Sequence, residues 1–164
     1  MSSCRSVSFA QLRLLALEAQ GSPRRRGHHT LHPRLSDPIQ RFFNVLQPGT
    51  YVRPHRHEEG RFELFVLLAG RAGVLTFGPQ GEVVETHLLG EGALAAVEIP
   101  GGLMHTVVAL APHTVLFEVK PGPYGALTDK DFAPWAPEEG QREAAALLAT
   151  WERHFPPDPT PSTP

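Results

Sequence analysis

A single cysteine, Cys4, is all the thiol chemistry that the 164-residue chain carries, so no disulfide can form within it. Its fold must therefore rest on a hydrophobic core, and a lone free thiol fits a reducing compartment. An excess of one charge is missing too. The 15 Lys and Arg against 17 Asp and Glu leave a formal net charge of −2, which favours neither nucleic acid nor an anionic membrane as a partner. No apolar run approaches the roughly 20 residues that a membrane-spanning helix requires. The apolar stretch from Leu12 to Leu17 is short and broken by Arg13, unlike the core of a secretory signal. The expected location is cytoplasmic. With 41% hydrophobic and 20% charged residues, the composition is that of one ordinary globular domain.

Turn formers and histidine are what the chain has in abundance. Its 15 glycines and 17 prolines suit many short strands joined by tight turns better than long helices. Residues 8–20 place Phe9, Leu12, Leu15 and Ala16 on one side, the periodicity of a short amphipathic helix closed by Gly21 and Pro23. A basic, histidine-rich connector follows from Arg24 to His32. Strands are expected at 39–46, 50–57, 62–69, 73–77, 82–89, 93–99, 103–110 and 114–120. Such closely spaced strands imply an all-β sandwich or barrel. A terminal helix is expected over 141–154, with leucines and Trp151 on one face, and a disordered proline-rich tail over 156–164. The expected organisation is a helix and connector over 1–35, a β-barrel over 36–136, a C-terminal helix within 137–155, and the tail.

Among the nine histidines, spacing singles out His55 and His57. Residues two apart on a strand point to the same face, so the two imidazoles project together, with Tyr51 and Arg53 expected further back on that face. A turn at Glu58 to Gly60 reverses the chain, and the next strand puts Glu63, Phe65 and Leu67 on one face. If both faces line the same interior, Glu63 comes beside the histidines. Two imidazole nitrogens and a carboxylate oxygen are a good partial shell for a divalent first-row metal. After the turn Pro100-Gly101-Gly102, His105 opens another strand and shares a face with Val107 and Ala109. Three histidines and one glutamate from non-consecutive strands converge only if the sheet closes on itself, as an eight-strand barrel does.

These residues resemble the two motifs of the cupin superfamily. The first reads Gly49-x5-His55-x-His57-x5-Glu63-x6-Gly70, with one or two residues more than usual before the glutamate, so Glu58 and Glu59 stand as alternative carboxylates. The second keeps Pro100, Gly102 and His105, with its leading glycine displaced to Gly92 and Ala109 in place of an asparagine that is not a ligand in the family's scheme. A narrower resemblance, to WbuC-type cupin metalloproteins, rests on three runs. They are Gln40 to Asn44 with Pro48 to His57, Phe117 to Tyr124, and Asp129 to Pro137. The resemblance implies a single cupin barrel with short terminal helices and one divalent ion (iron, manganese, zinc, nickel, cobalt or copper) on His55, His57, Glu63 and His105. It also implies a small-molecule ligand, a homodimer, since cupins commonly pair, and relatives associated with surface-polysaccharide gene clusters, but it supplies no reaction. Cupins include metal-dependent isomerases, epimerases and dioxygenases as well as binding modules for sugars or sugar nucleotides in which the metal is structural.

Further candidates are weighed against plainer roles. Glu118, if inward, is a partner to a ligand histidine or the group that transfers a proton. Arg53 is a candidate catalytic or anion-binding residue, with Tyr51, Arg41 and Phe65 as pocket residues; a salt bridge is the plain alternative for the arginines. His28, His29 and His32 are expected to be solvated or to line the pocket rather than to bind metal. His87, His113 and His154 are expected at the surface, and Phe43, Phe62, Phe65 and Phe77 in the core.

Overall fold

The computed structural model describes residues 4–125 and 131–157. Most of the expected tail, from 158 on, and the start of the run Asp129 to Pro137 lie outside the described residues. Helix α1 (Phe9–Gly21) is followed by nine strands: β1 (Arg26–Thr30), β2 (Ile39–Leu46), β3 (His55–Arg56), β4 (Glu63–Ala69), β5 (Ala72–Phe77), β6 (Val83–Leu89), β7 (Ala96–Ile99), β8 (His105–Ala109) and β9 (Thr114–Pro121). Strand β10 (Asp131–Phe132) and helix α2 (Arg142–Glu152) complete the chain. Two antiparallel five-stranded sheets, ordered β1-β2-β9-β4-β7 and β10-β3-β8-β5-β6, face each other. The protein has the cupin fold: an all-β barrel flanked by two short helices.

Three apolar clusters hold these layers. Leu46, Phe65, Val74, Leu89, Ile99, Val107 and Leu116 fill the space between the sheets. Tyr51, Leu75, Phe77, Val108, Leu148, Trp151 and Phe155 join the outer face of the second sheet to α2. Leu12, Ala16, Ala19, Val45 and Val115 join α1 to the first sheet. Strand β5 is buried along its whole length, because one face meets the barrel interior and the other meets α2. That is why Ala72 to Phe77 carries no exposed face, with Thr76 its one polar side chain. Helix α1 begins with a capping box, in which Ser8 Oγ accepts the Gln11 N–H and the Gln11 side chain accepts the Ser8 N–H.

Several sequence expectations change here. Phe9, assigned to the buried side of α1, is 69% exposed, and Ala19 is buried instead. The stripe begins one turn later because the helix lies on the sheet only from Leu12 onward. The connector yields β1, whose Arg26 to Thr30 pair with Leu46 to Phe42; Arg-Gly-His-His-Thr has no apolar alternation to announce a strand. The expected strand 50–57 shrinks to His55–Arg56. Pro54 lacks an N–H to donate, and the chain before it is held by other bonds, Thr50 Oγ1 donating to Arg24 O at 2.7 Å and Tyr51 Oη to Pro137 O at 2.9 Å.

The aromatic ring of Phe155 lies against Gly73, where a Cβ would meet its Cε2 and Cζ at 2.3 Å. Gly73→Val is therefore expected to expel the ring and lower stability by about 1–3 kcal/mol, measured by denaturant unfolding. An unchanged midpoint would mean that Phe155 does not dock there.

Candidate metal centre

His55 and His105 face each other across neighbouring strands β3 and β8. Glu63 opens β4 in the opposite sheet, paired with Ile99, and His57 follows β3. The cluster therefore bridges the two sheets. One ligand atom from each of His55, His57, Glu63 and His105 lies within 4.8 Å of all the others, and the four residues are 2–4% exposed. His105 Nε2 is 2.8 Å from Glu63 Oε2, and His57 Nε2 is 3.5 Å from Glu63 Oε1.

Backbone carbonyls orient two of the rings. His55 Nδ1 donates to Arg53 O at 3.0 Å, and His105 Nδ1 donates to Leu103 O at 2.8 Å. A carbonyl only accepts, so each Nδ1 carries a hydrogen and each Nε2 is the nitrogen turned toward the cluster. This is the arrangement by which a protein fixes the tautomer of a metal-binding histidine. The turns that carry the ligands are packed together. Gly102 N donates to His57 O at 2.8 Å, and Gly101 leaves no room for a side chain, since a Cβ there would lie 2.2 Å from Glu58 O. Glu58 and Glu59 are exposed, so Glu63 is the carboxylate that reaches the histidines. The longer loop before it is taken up by the turn at Gly60.

Burial alone would push the Glu63 carboxyl up. Hydrogen bonds from His105, His57 and Glu118, with the positive charge of His105, outweigh that and hold it well below the usual carboxylate range. Glu118 is itself buried, its Oε2 accepting a hydrogen bond from Asn44 Nδ2. Lys120 Nζ lies 3.5 Å from Glu118 Oε1 and 3.8 Å from Glu63 Oε1.

A cavity of about 360 Å³ opens over this cluster. His55, Glu63, His105, Phe65, Glu118 and Lys120 line its floor and walls; Arg24, Arg26, His28 and His32 are also part of its lining. Glu118 and Phe65 both line the cavity. The expectations for Tyr51, Arg53 and Arg41 are corrected, because none of the three lines this cavity. Tyr51 stacks on Trp151 with ring centroids 5.6 Å apart. Arg53 Nη2 donates to Ala133 O at 3.3 Å, and its guanidinium lies 5.2 Å over the Phe132 ring. Arg41 pairs with Asp37 at 3.1 Å. The alternation that would align Tyr51 and Arg53 with His55 fails because residues 51–54 are not in a strand. His28 and His32 line the cavity, while His29 is exposed. Sequence reasoning overlooks Lys120 and Asn44. A signal for the first exists, since Leu116, Glu118 and Lys120 alternate on one face of β9, all buried.

Residues 7–89, just over half of the chain, match the family described as Domain of unknown function (DUF6016). The chain belongs to that family. The matched DUF6016 region runs from α1 to the end of β6 and contains His55, His57 and Glu63, while His105 follows it. No curated protein matches the chain in sequence. In structure it is similar to the capsular polysaccharide assembling protein CapF from Staphylococcus aureus, with a TM-score of 0.57 at 18% identity over 68% of this chain. The chain spans only 32% of the CapF chain. It is also similar to protein SO0799 from Shewanella oneidensis, with a TM-score of 0.51 at 17% identity over 77% of this chain and 80% of the other. At these identities the likeness establishes the fold alone.

Where the rim of the cavity meets the segment before α2, Arg24 and Arg26 both bond Glu139. Partial burial alone would raise the Glu139 carboxyl, but the bonds and charges of the two arginines outweigh it and lower it from the ordinary 4.5. A carboxyl lowered by folding contributes stability above its unfolded pKa, and loses it as pH falls through its folded value. The melting temperature of Glu139→Gln is therefore expected to sit slightly below that of the native chain at neutral pH. The gap should close on acidification below about 4.5. A gap that persists in acid would show that it does not come from the ion pairs.

Proposed function

We propose that the chain is a metal-dependent cupin enzyme, with one divalent first-row ion held by His55, His57, Glu63 and His105 and a small oxygenated, carbohydrate-derived substrate in the cavity above it. The observation that carries this reading is the convergence of three imidazoles and one carboxylate, all within 4.8 Å, beside a cavity that also buries Glu118 and Lys120. The donor set fits such an ion: borderline nitrogens and one hard oxygen suit first-row divalent metals, and four protein ligands leave room for a substrate atom. A bound divalent ion supplies Lewis-acid polarisation of a substrate oxygen.

The chain's own residues do the rest. His105 Nε2 and Glu63 Oε2, 2.8 Å apart, are two of the atoms that would hold the ion. Glu118, buried beside Glu63 and lining the cavity, is the group placed to transfer a proton to or from the substrate. Asn44 Nδ2 holds one Glu118 oxygen, and Lys120 Nζ lies 3.5 Å from Glu118 and 3.8 Å from Glu63. Support for a carbohydrate-derived substrate comes from the resemblance to WbuC-type cupins and from the similarity to CapF, a capsular polysaccharide assembling protein.

Elemental analysis tests the ligands: near-stoichiometric metal is expected in the native chain and little in H55A/H57A. Equal content in both, or none in either, would overturn the assignment. In a screen of small hydroxy-carbonyl compounds, any turnover by the native chain is expected to fall about 10²–10⁴-fold in Glu118→Gln, with metal content unchanged. Undiminished turnover would remove Glu118 from proton transfer.

A further inference from the structure

The metal centre does not account for the charge at the other end of the cavity. Arg26, His28 and Thr30 alternate on β1 and share a face, opposite Leu46, Asn44 and Phe42 of β2. All six line the same cavity as His55, Glu63 and His105. Arg26 is held in place, with Nη1 donating to Thr50 Oγ1 at 3.2 Å and Tyr51 O at 2.9 Å, and its side chain is only 18% exposed. Arg24, beside it, is 63% exposed.

Glu139 meets both guanidiniums from the far end of the sequence. Arg24 Nε and Nη2 donate to its two oxygens at 2.9 and 2.8 Å, a bidentate fork, and Arg26 Nη2 adds a third bond at 2.9 Å. This is how a protein holds a carboxylate or phosphate of a ligand. The occupant is a side chain of the loop before α2, 34% exposed, and a partly exposed pair is weakly held.

We propose that Arg24 and Arg26 form a subsite for an oxyanion of the substrate, carboxylate or phosphate, and that Glu139 fills this subsite until the ligand displaces it. The proposal rests on the reading that the cavity holds the substrate. It also deepens that reading. In the sheet order β1-β2-β9-β4, three strand spacings of about 4.8 Å separate the backbones of β1 and the Glu63 strand, roughly 14 Å. A ligand reaching both ends therefore carries its anionic group remote from the oxygen that meets the metal ligands.

Calorimetric titration of the full chain with inorganic phosphate, and separately with acetate, tests this. If Glu139 fills the subsite about nine-tenths of the time, Glu139→Gln is expected to bind one of these anions about tenfold more tightly than the native chain. The further change Arg24→Ala is expected to abolish that gain. Glu138→Gln removes the same charge one residue away, where Glu138 faces Arg53 at 3.8 Å, and is expected to give none. A larger gain for phosphate assigns a phosphorylated ligand, and a larger gain for acetate a carboxylate. No gain in Glu139→Gln, an equal gain in Glu138→Gln, or a gain that survives Arg24→Ala would each overturn the proposal. A second readout uses the native chain. Amide hydrogen exchange around residues 138–141 should rise when the favoured anion is added, and unchanged exchange would count against displacement of Glu139. Metal content reads the cluster and anion binding reads the rim, so either can fail while the other stands.

Discussion

A carboxylate taken almost wholly out of water has to be answered by positive charge and hydrogen bonds, and in this protein Glu63 is that carboxylate. An isolated buried charge is costly enough that the group would neutralise instead. Its partners come from every neighbouring quarter: His105 from β8, His57 from the loop after β3, and Glu118 and Lys120 from β9. Since β4 and β9 belong to one sheet and β3 and β8 to the other, satisfying this one group fixes how the two sheets meet. The apolar interior of Phe65, Val74, Val107 and Leu116 then closes around that junction.

The same need explains why apolar residues give way to polar ones along a single strand face near the site. On β9, Leu116 belongs to the core while Glu118 and Lys120, on the same face, continue into the cavity. On β8, His105 starts the face that Val107 and Ala109 carry into the core. One end of each strand serves packing and the other serves chemistry, so the cavity is a place where the core changes composition rather than a hole cut through it. Glu118 and Lys120 remain buried because they answer one another and Glu63.

What the sequence discloses follows this physics. The pair His55 and His57, the turn at Gly60, Glu63 with Phe65, and His105 after Pro100-Gly101-Gly102 are all legible, because strand alternation and tight turns are local properties. Most strand positions are legible for the same reason. The placements of Tyr51 and Arg53 are not, since extrapolating alternation back through Pro54 assumes a strand that the chain has left; Tyr51 answers to Trp151, which is 100 residues away. Strand β1 is equally hidden, because Arg26 to Thr30 become a strand only through their pairing with β2. Lys120 shows a third kind of blindness. A lysine on a strand is ordinarily a surface residue, and only the presence of two buried carboxyls makes its burial favourable.

The cavity is assembled from two sources of unequal constraint. Its floor is made by central strands whose inward side chains belong to the core or to the cluster around Glu63. Part of its rim is made by segments flanking the barrel, joined where Arg24 and Arg26 meet Glu139 across more than a hundred residues of sequence. Arg24, Arg26 and Glu139 themselves belong to none of the three apolar clusters. Within this architecture, then, the rim is free to change while the buried cluster beneath it stays as it is.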